Sequence, residues 1–461
     1  MAWQGSALAA AQVIVVGRSG ASGAGGLAEL VLDLYQRSSS SGVLGFGDVN
    51  YDCTVPYTDK LKDGRLSFPE GSVFHIYQKG RKLAEIAGPH LADKADPADA
   101  AFSLQASRKH TSGQGPAPKI PQVITYTDRV DCVLSAGGGI ANVADAFRYM
   151  TTAPMALVSL RGEGLDRDRD LMRGVDPLYI GVAGAQDQIN MVFEHDGGRA
   201  ITRGPGIPAP ASFAVDTSEL AYKIGTIVID SAKHPGMVRE ALGRYGQQRL
   251  ERTPVGVAAV TPKMDGSYDL LWNEAVPKGF IMVFSPEDLL AFTGRDVPQE
   301  ESDISYGQLF EALREVRDAQ GETVRRIYLT LGGYGSIGVG RRGNVYRVGI
   351  FPVDGKQYNG AGDFFCAGVV KHEHYFGMNQ DAQSEIYHIM AFATASSALR
   401  IDGISPFPSE LRWKLRESAS NGGIKCEQLG TLDSLSAQGP SLGEIGQEAL
   451  NGAWQRIGLR Y

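Results

Sequence analysis

The sequence predicts an α/β protein built on a doubly wound, mostly parallel β-sheet with helices on both faces. Short apolar runs such as Thr226 to Asp230 and Val255 to Thr261 have the length of buried strands. Amphipathic segments lie between such runs, and Leu309, Leu313 and Val316 recur at helical spacing before the next run. Alternation of strand, helix and strand is the pattern that produces parallel pairing.

The composition excludes several classes of protein. The chain has 461 residues, of which 43% are hydrophobic, so it can bury a large core. A net charge of -7 does not supply the clustered Lys and Arg that a nucleic-acid surface needs, so no nucleic-acid partner is expected. No apolar run reaches the roughly 20 residues that cross a bilayer, so no membrane partner is expected either. Widely spaced cysteines without a CxxC pair favour reduced thiols and a cytoplasmic location; they are Cys53, Cys132, Cys366 and Cys426.

The sequence divides into three regions. Residues 1–42 are expected to form an N-terminal extension that ends in a Ser-rich linker, and residues 43–416 carry the strand and helix alternation of the main domain. A Gly-, Pro- and Ala-rich region at about 56–124, with short β-like pieces such as Val73 to Tyr77, interrupts this domain and is a candidate β-rich lid. Apolar periodicity fades after Leu411, so residues 417–461 are expected to form a tail on the surface.

A run of small residues from Asn359 to Gly362 precedes Asp363 and an apolar helix pattern. Small residues at the start of a helix leave its first N–H groups free and close to a ligand. The amides of Gly360, Ala361 and Gly362 are therefore candidates for an anion site. Asp363 in the first turn could take a proton from an attacking hydroxyl group. The alternative is an ordinary helix N-terminus with an acidic first turn.

Three further segments complete a set of four motifs. They are Gly47-Asp48-Val49-Asn50-Tyr51-Asp52, Gly137-Gly138-Gly139-Ile140-Ala141-Asn142 and Thr330-Leu331-Gly332-Gly333-Tyr334-Gly335. In this order, and together with the glycine run before Asp363, they resemble the motifs of the PfkB, ribokinase-like carbohydrate kinases. The resemblance extends over roughly residues 43–408. It implies a ribokinase-like fold with ligands at the carboxyl ends of the strands, and a smaller β-rich lid.

The resemblance implies that the first two of these segments hold the acceptor. Asn50 and Asp52 occupy the positions of the family's sugar-binding residues, and on an extended segment they share one face. Gly137 and Gly138 let the backbone approach the acceptor, and Asn142 opens the following helix. Each segment also has a plain structural interpretation, namely a turn that ends a strand or a Gly-rich turn before a helix.

The resemblance also implies ATP and Mg2+ as cofactors, with a monovalent cation as a further candidate. Ser285 and Asp288 lie where the family has an Asn and a Glu that organise magnesium. Oxygen ligands survive this replacement, so both residues are metal candidates. A tight turn after a strand would explain the glycines of the third segment equally well. The candidates for contact with ATP are Thr330, Gly332, Gly335 and Thr394.

The activity that the resemblance implies is ATP-dependent phosphorylation of a hydroxyl group on a small sugar-like molecule. Asp363 would be the general base, and the Gly360 to Gly362 amides would be the anion hole. A nucleoside kinase of the same fold is an alternative, because this scaffold accepts a ribose that carries a base. Ser285 and Asp288 motivate another alternative, a catalytically weakened regulatory protein that binds a sugar or nucleotide. A β-rich lid would also suit a homodimer in which two subunits exchange lids.

Overall fold

The structure is a computed structural model. It describes residues 41–55, 65–66, 73–78, 81–87, 123–124, 130–163, 174–195, 198–203, 206–251, 255–261, 267–298, 301–321, 326–351, 353–354, 360–376, 383–420, 426–435 and 440–442. The expected N-terminal extension lies outside these ranges except for residues 41 and 42, which begin the first strand. Most of the expected lid region also lies outside them.

The described residues form two large β-sheets, a two-stranded sheet and helices that flank the larger sheet. The strands are β1 (Ser41–Gly47), β2 (Asn50–Val55), β3 (Arg65–Leu66), β4 (Val73–Gln78), β5 (Arg81–Ala87), β6 (Val123–Ile124), β7 (Val130–Gly137), β8 (Met155–Glu163), β9 (Asp176–Gln186), β10 (Ile189–His195), β11 (Gly198–Arg203), β12 (Lys223–Asp230), β13 (Val255–Ala259), β14 (Ile281–Phe284), β15 (Ile327–Thr330), β16 (Ser336–Val339), β17 (Asn344–Val348) and β18 (Cys426–Thr431). The helices are α1 (Gly139–Met150), α2 (Pro235–Glu251), α3 (Pro286–Phe292), α4 (Tyr306–Gln320), α5 (Ala361–Phe376), α6 (Gln383–Ile401) and α7 (Pro408–Ser420). Short helical turns lie at Tyr268–Leu270, Leu271–Ala275, Glu301–Asp303 and Gly332–Tyr334.

The larger sheet, within the described residues, has the strand order β18-β17-β16-β15-β14-β13-β12-β1-β8-β9. All strands from β15 to β9 pair in parallel, and β16, β17 and β18 extend the sheet in antiparallel fashion. The antiparallel part includes a hairpin of β16 and β17 that directly follows the third motif. A mostly parallel sheet flanked by helices is the architecture expected, so the predicted fold class is confirmed.

The two faces of this sheet bury separate apolar cores. Alternate residues of a strand point to opposite faces, so in β1 Leu44 and Phe46 join one core while Val43 joins the other. Helices α2, α3 and α4 pack on the first face, and α1, α5 and α6 pack on the second. Burial of both faces explains why the central strands read as continuous apolar runs in the sequence.

The smaller sheet contains strands from outside the expected lid region at residues 56–124. Its strand order is β11-β10-β2-β7-β4-β5, and only β4 and β5 come from residues 56–124. Two of the other strands continue almost directly from strands of the larger sheet, β2 from β1 and β10 from β9. Because the chain passes between the two sheets without a long linker, no change in composition marks these crossings in the sequence.

Residues 426–435 and 440–442, which were expected in a surface tail at 417–461, pack with the main domain, and most of the remaining tail residues lie outside the described ranges. β18 pairs with β17 at the edge of the larger sheet, and α7 runs across the expected boundary. Leu432 and Leu442 are fully buried in the first core. Most side chains of β18 are only partly buried, so this edge strand needs few apolar residues and its sequence shows little periodicity.

The strand order reverses at β1 and β12. From β1 the sheet extends in one direction through β8 and β9, and the later strands begin with β12 on the other side of β1. In open parallel sheets, the crevice outside the carboxyl ends of such a strand pair is the usual place for a ligand. The residues that follow β1 and β12 therefore define the position at which a site is expected.

His374 near the end of α5 is expected to make the stability of the protein depend on pH. The side chain is largely but not fully buried, its Nδ1 atom lies 2.8 Å from Thr226 Oγ1, and burial lowers its pKa from 6.5 to about 4. In the unfolded chain the ring has its ordinary pKa, so on acidification the unfolded state takes up the proton first. The stabilisation is complete above pH 6.5 and is lost as the pH falls towards 4, by about 3 kcal/mol at most.

The variant His374→Gln removes this titrating group. Urea unfolding from about pH 7.5 down to about pH 4.5 is expected to show a weaker pH dependence for the variant than for the unchanged protein. Equal pH dependence of the two free energies of unfolding would contradict the assignment.

Candidate active site

Polar residues gather where β1 and β12 end. The Val49 N–H donates to Ser159 Oγ at 2.8 Å, which ties the chain leaving β1 to the neighbouring β8. Asp230 is the last residue of β12 and is buried. Ser231 follows with a φ of 54°, in the left-handed region that costs energy for a residue with a side chain. The Ser231 hydroxyl donates to Asp230 Oδ1 at 2.8 Å, so this turn holds the carboxylate at the edge of the sheet.

Asp363 meets Asn142 in the same crevice. Asp363 lies in the first turn of α5, and the Asn142 side-chain amide donates to its Oδ2 atom at 2.7 Å across 221 positions of sequence. Burial, followed by the charges of Asp230 and Asp363, raises the pKa of the Cys366 thiol well above its ordinary value. Asp230 at the end of β12 and Asp363 at the start of α5 both lie close enough to Cys366 for their charges to raise the pKa of its thiol.

The turn before α5 has open space beside Gly362 and contacts with α6 at Gly360 and Ala361. Gly360 has a φ of 80°, a conformation that favours glycine. A Cβ atom at Gly362 would meet nothing within 4 Å outside its own helix, so packing does not require glycine there. The Ser397 hydroxyl donates to the Ala361 carbonyl oxygen at 2.6 Å. Arg400 Nε lies 3.5 Å from the position of a Cβ atom at Gly360, so α6 brings a positive charge to this turn.

Asn50 and Asp52 lie in β2, beside the second glycine motif. Asn50 pairs with Gly137 in the antiparallel ladder of β2 and β7. A Cβ atom at Gly137 would lie 2.2 Å from Asp52 Cγ, so glycine at this position makes room for the carboxylate. Asp52 Oδ1 accepts a hydrogen bond from Asn190 Nδ2 at 2.9 Å. The predicted acceptor residues thus share one corner of the smaller sheet.

Gly138 and Gly139 bring the start of α1 against the ends of β1 and β12. Gly138 has a φ of 93°, and a Cβ atom there would lie 2.0 Å from the Asp48 carbonyl oxygen. At Gly139 a Cβ atom would lie 2.2 Å from Ser231 Oγ and 2.4 Å from Asp230 Oδ1. The close approach places the Asp230 carboxylate near the positive end of the α1 dipole, where a negative charge is stabilised.

The motifs did not single out several polar residues that the structure adds to this corner. Lys233 Nζ lies 3.0 Å from Asp48 Oδ2 and 2.9 Å from Gln188 Oε1. Gln188 Nε2 donates to Asn190 Oδ1 at 2.8 Å. For Asp230 and Ser231 a sequence signal existed, because polar residues directly after a buried parallel strand lie at the ligand-binding edge. For Lys233 and Gln188 no local pattern offered one.

The third motif forms the tight turn after β15. Gly332 and Gly335 have φ values of 54° and 100°, and a Cβ atom at Gly335 would lie 2.1 Å from the Val348 carbonyl oxygen. The Thr330 hydroxyl donates to the Phe284 carbonyl oxygen at 3.3 Å. The backbone alone therefore accounts for these glycines, and their contact with a nucleotide stays a prediction.

Helix α6 connects the third motif to the turn before α5. Thr394 Oγ1 lies 3.0 Å from Ser336 Oγ, the first residue after the third motif. Ser397, one helical turn later, donates to Ala361. The segment predicted to contact ATP and the turn predicted to hold the phosphates therefore lie against the same helix.

Ser285 and Asp288, the metal candidates, form the N-terminal cap of α3. The Ser285 hydroxyl lies 2.5 Å from Asp288 Oδ2, and the Asp288 N–H donates to Ser285 Oγ at 3.3 Å. In the described ranges no cluster of three or more His, Cys, Asp or Glu side chains could hold a metal ion. Magnesium usually takes most of its ligands from phosphates and water and only one or two from carboxylates, so the oxygens present fit that ion.

Comparison with solved structures identifies the fold. Ribokinase from Giardia lamblia matches with a TM-score of 0.54 and 15% identity, over 82% of this chain and 100% of that chain. Ribokinase from Cryptococcus neoformans var. grubii serotype A in complex with ADP has a TM-score of 0.53 and 15% identity, over 82% and 99%. A protein described as a ribokinase II from E. coli, in complex with ATP and Mg2+, has a TM-score of 0.51 and 13% identity, over 82% and 99%.

The chain therefore has the ribokinase-like fold, as the resemblance of its motifs implied. No protein-family model matches the sequence, and no curated protein matches it. In the part of the chain that the structure describes, no helix combines the length and apolar character needed to cross a membrane.

Proposed function

We propose that the protein is an ATP-dependent kinase that phosphorylates a hydroxyl group of a small, neutral, sugar-like molecule. The hydrogen bond between Asn142 and Asp363 carries the proposal, because it joins the carboxylate at the glycine turn to the motif beside Asn50 and Asp52. The likeness to ribokinases in complex with ADP and with ATP and Mg2+ supports ATP as the phosphoryl donor.

Asp363 acts as the general base in this reaction. The oxygen of the acceptor hydroxyl forms a bond to the γ-phosphorus of ATP, the bond from that phosphorus to the β,γ-bridging oxygen breaks, and ADP leaves. The hydroxyl proton moves to the Asp363 carboxylate. The Asn142 amide, 2.7 Å from Oδ2, fixes the orientation of the carboxylate for this transfer.

The start of α5 stabilises negative charge on the phosphoryl group. The backbone amides of Gly360, Ala361 and Gly362 lie at the positive end of the helix dipole, where they bind phosphate oxygens. Arg400 beside the same turn adds a positive charge. Magnesium, for which Ser285 and Asp288 are the candidate ligands, would neutralise further negative charge on the phosphates.

The charges around the acceptor residues favour a neutral acceptor. Asp48, Asp52 and Asp230 are carboxylates of this corner, and the nearby Lys233 ammonium is paired with Asp48. A phosphate or carboxylate group on the acceptor would meet like charges at short range, which is unfavourable. Sugar hydroxyl groups, in contrast, can donate hydrogen bonds to these carboxylates.

ATP consumption across a panel of pentoses, hexoses and nucleosides, with magnesium present, tests the proposal. A neutral sugar is expected to stimulate ATP consumption and to appear as its phosphate ester in mass spectra. Turnover with a nucleoside instead would favour a nucleoside kinase. Binding of ADP without turnover on any acceptor would contradict the proposal and favour a regulatory binding protein.

Gly362→Ala is expected to lower turnover while the protein remains folded. The added methyl group would enter the open space beside the α5 amides, and displacing a reacting group by about 1 Å costs about 10²-fold in rate. Alanine within a helix otherwise raises stability over glycine by about 0.5–1 kcal/mol. Steady-state kinetics combined with thermal unfolding separates the two effects.

Gly243→Ala is the matched control for this variant. Gly243 lies in α2, away from the crevice, and a Cβ atom there also meets nothing within 4 Å. A similar gain in stability with unchanged turnover is expected for the control. Unchanged turnover in Gly362→Ala as well would show that the turn does not face the reacting phosphoryl group.

A further inference from the structure

Lys233 begins a chain of hydrogen bonds that ends on Asp52. Lys233 Nζ donates to Gln188 Oε1 at 2.9 Å, and Gln188 Nε2 donates to Asn190 Oδ1 at 2.8 Å. Asn190 Nδ2 then donates to Asp52 Oδ1 at 2.9 Å. Lys233 also lies 3.0 Å from Asp48 Oδ2. These residues come from three separate segments of the chain, at residues 48–52, residues 188–190 and Lys233.

The chemistry of its two ends sets the direction of this chain. An ammonium group only donates hydrogen bonds, and an ionised carboxylate only accepts them. Gln188 must therefore turn its oxygen to Lys233 and its NH2 to Asn190, and Asn190 must turn its NH2 to Asp52. Reversal of either amide would bring two donors or two acceptors together. The ammonium at one end and the carboxylate at the other therefore require the same orientation of both amides.

Because these residues are buried, breaking a hydrogen bond of the chain costs free energy. Gln188, Asn190 and Asp48 are each less than a tenth exposed. A polar group gives up its hydration when it is buried, and without a hydrogen-bond partner nothing compensates for that loss. The amides therefore cannot turn to solvent as an easy alternative when one bond of the chain is lost.

Lys233 also bridges the two sheets. It follows β12 of the larger sheet, whereas Asn190 and Asp52 belong to paired strands of the smaller sheet. Asp48 lies in the crossing from β1 to β2, and Gln188 lies in the crossing from β9 to β10. One side chain of the larger sheet thereby contacts two of the crossings that carry the smaller sheet.

We infer that Lys233 is a positioning residue for the acceptor site: its ammonium group orients Gln188 and Asn190 so that the Asp52 carboxylate is fixed against the acceptor. The inference rests on the proposed kinase function for its kinetic consequence only. The orientation of the relay itself is a property of the protein without any ligand.

Kinetics of Lys233→Met test the inference, with D-ribose as the probe acceptor and ATP with magnesium as the donor. Methionine keeps the length of the side chain but removes its donors. The KM for the acceptor is expected to rise by about tenfold or more, since hydrogen bonds to charged groups are strong, while the KM for ATP changes less than about twofold. Lys233→Arg, which keeps a donor-only group, is expected to recover much of the acceptor affinity.

Lys278→Met is the matched control, because Lys278 forms an ion pair with Glu274 on the surface of the protein. It is expected to leave both KM values unchanged. An equal rise in both KM values for Lys233→Met, or no recovery in Lys233→Arg, would overturn the inference in favour of a merely structural role.

Crystal structures of Lys233→Met and of the unchanged protein provide a readout that needs no activity. Loss of the bond between Asn190 and Asp52 is expected in the variant. An intact relay in Lys233→Met would overturn the inference whatever the kinetics show. If the unchanged protein phosphorylates no acceptor while the relay breaks as expected, the proposed function fails and the positioning role of Lys233 stands.

Discussion

Replacement of Asp363 by Asn is expected to lower turnover by a factor of about 10² or more while ATP still binds. The amide has the size of the carboxylate and can keep a hydrogen bond with Asn142, so the start of α5 retains its structure. It cannot accept a proton at neutral pH, however, and the acceptor hydroxyl then has no base at the moment of attack. Turnover at saturating acceptor and ATP, measured on purified protein, checks this expectation.

Two further measurements make the Asp363→Asn result specific. ATP affinity, measured by calorimetry, is expected to stay close to that of the unchanged protein, because the α5 amides remain in place. Asp145→Asn changes an equivalent carboxylate on α1, paired with Arg148 near the surface, and is expected to leave turnover unchanged. Near-normal turnover in Asp363→Asn would remove the base assignment and with it the proposed mechanism.

The architecture could be predicted because its signals are local. Leu309, Leu313 and Val316 recur at helical spacing, and all three are fully buried on α4. The apolar run ending at Asp230 became β12, whose side chains are divided between the two cores. In such segments the spacing of apolar residues follows from burial: a helix buried on one side repeats them at helical spacing, and a strand buried on both faces has a continuous apolar run.

The polar contacts of the crevice could not be predicted in the same way. Gln188 lies 45 positions before Lys233, and Asn190 lies 138 positions after Asp52. No local pattern relates residues so far apart, because their contact exists only after the two sheets have formed. The hydrogen bond between Asn142 and Asp363 also had no local signal, and the resemblance implied only that both residues lie near the acceptor.

The pair Ser285 and Asp288 illustrates a pattern with two valid interpretations. A serine followed three residues later by an acidic residue, with proline between them, is typical of a helix N-terminus. The structure has that cap at α3, with Ser285 as its first residue. A magnesium ligand would use the same oxygens at the same edge of the sheet, so the metal role stays a prediction.

Substitution in a buried ion pair that joins α5 to the start of β15 is expected to cause the largest loss of stability. Arg326 Nη1 lies 2.9 Å from Glu373 Oε1, and the two side chains are only 4% and 0% exposed. The Tyr328 hydroxyl donates to the same carboxylate oxygen at 2.8 Å, and burial, followed by the charge of Glu373, raises the pKa of Tyr328 well above 10. Arg326→Met leaves the carboxylate buried without its cation. The free energy of unfolding, measured with urea, is expected to fall by about 3–5 kcal/mol.

The exposed pair of Arg295 and Glu315 is the control, since Arg295→Met is expected to cost only about 0–1 kcal/mol. Addition of Glu373→Gln to Arg326→Met removes the buried charge and keeps an oxygen for Tyr328, so it is expected to recover part of the loss. An Arg326→Met variant as stable as Arg295→Met would contradict the role of the pair. Because Glu373 lies on the helix that begins beside Asp363, the pair fixes the far end of α5 to the sheet. Asp363, the proposed base, can hold its position at the crevice only while that helix stays in place.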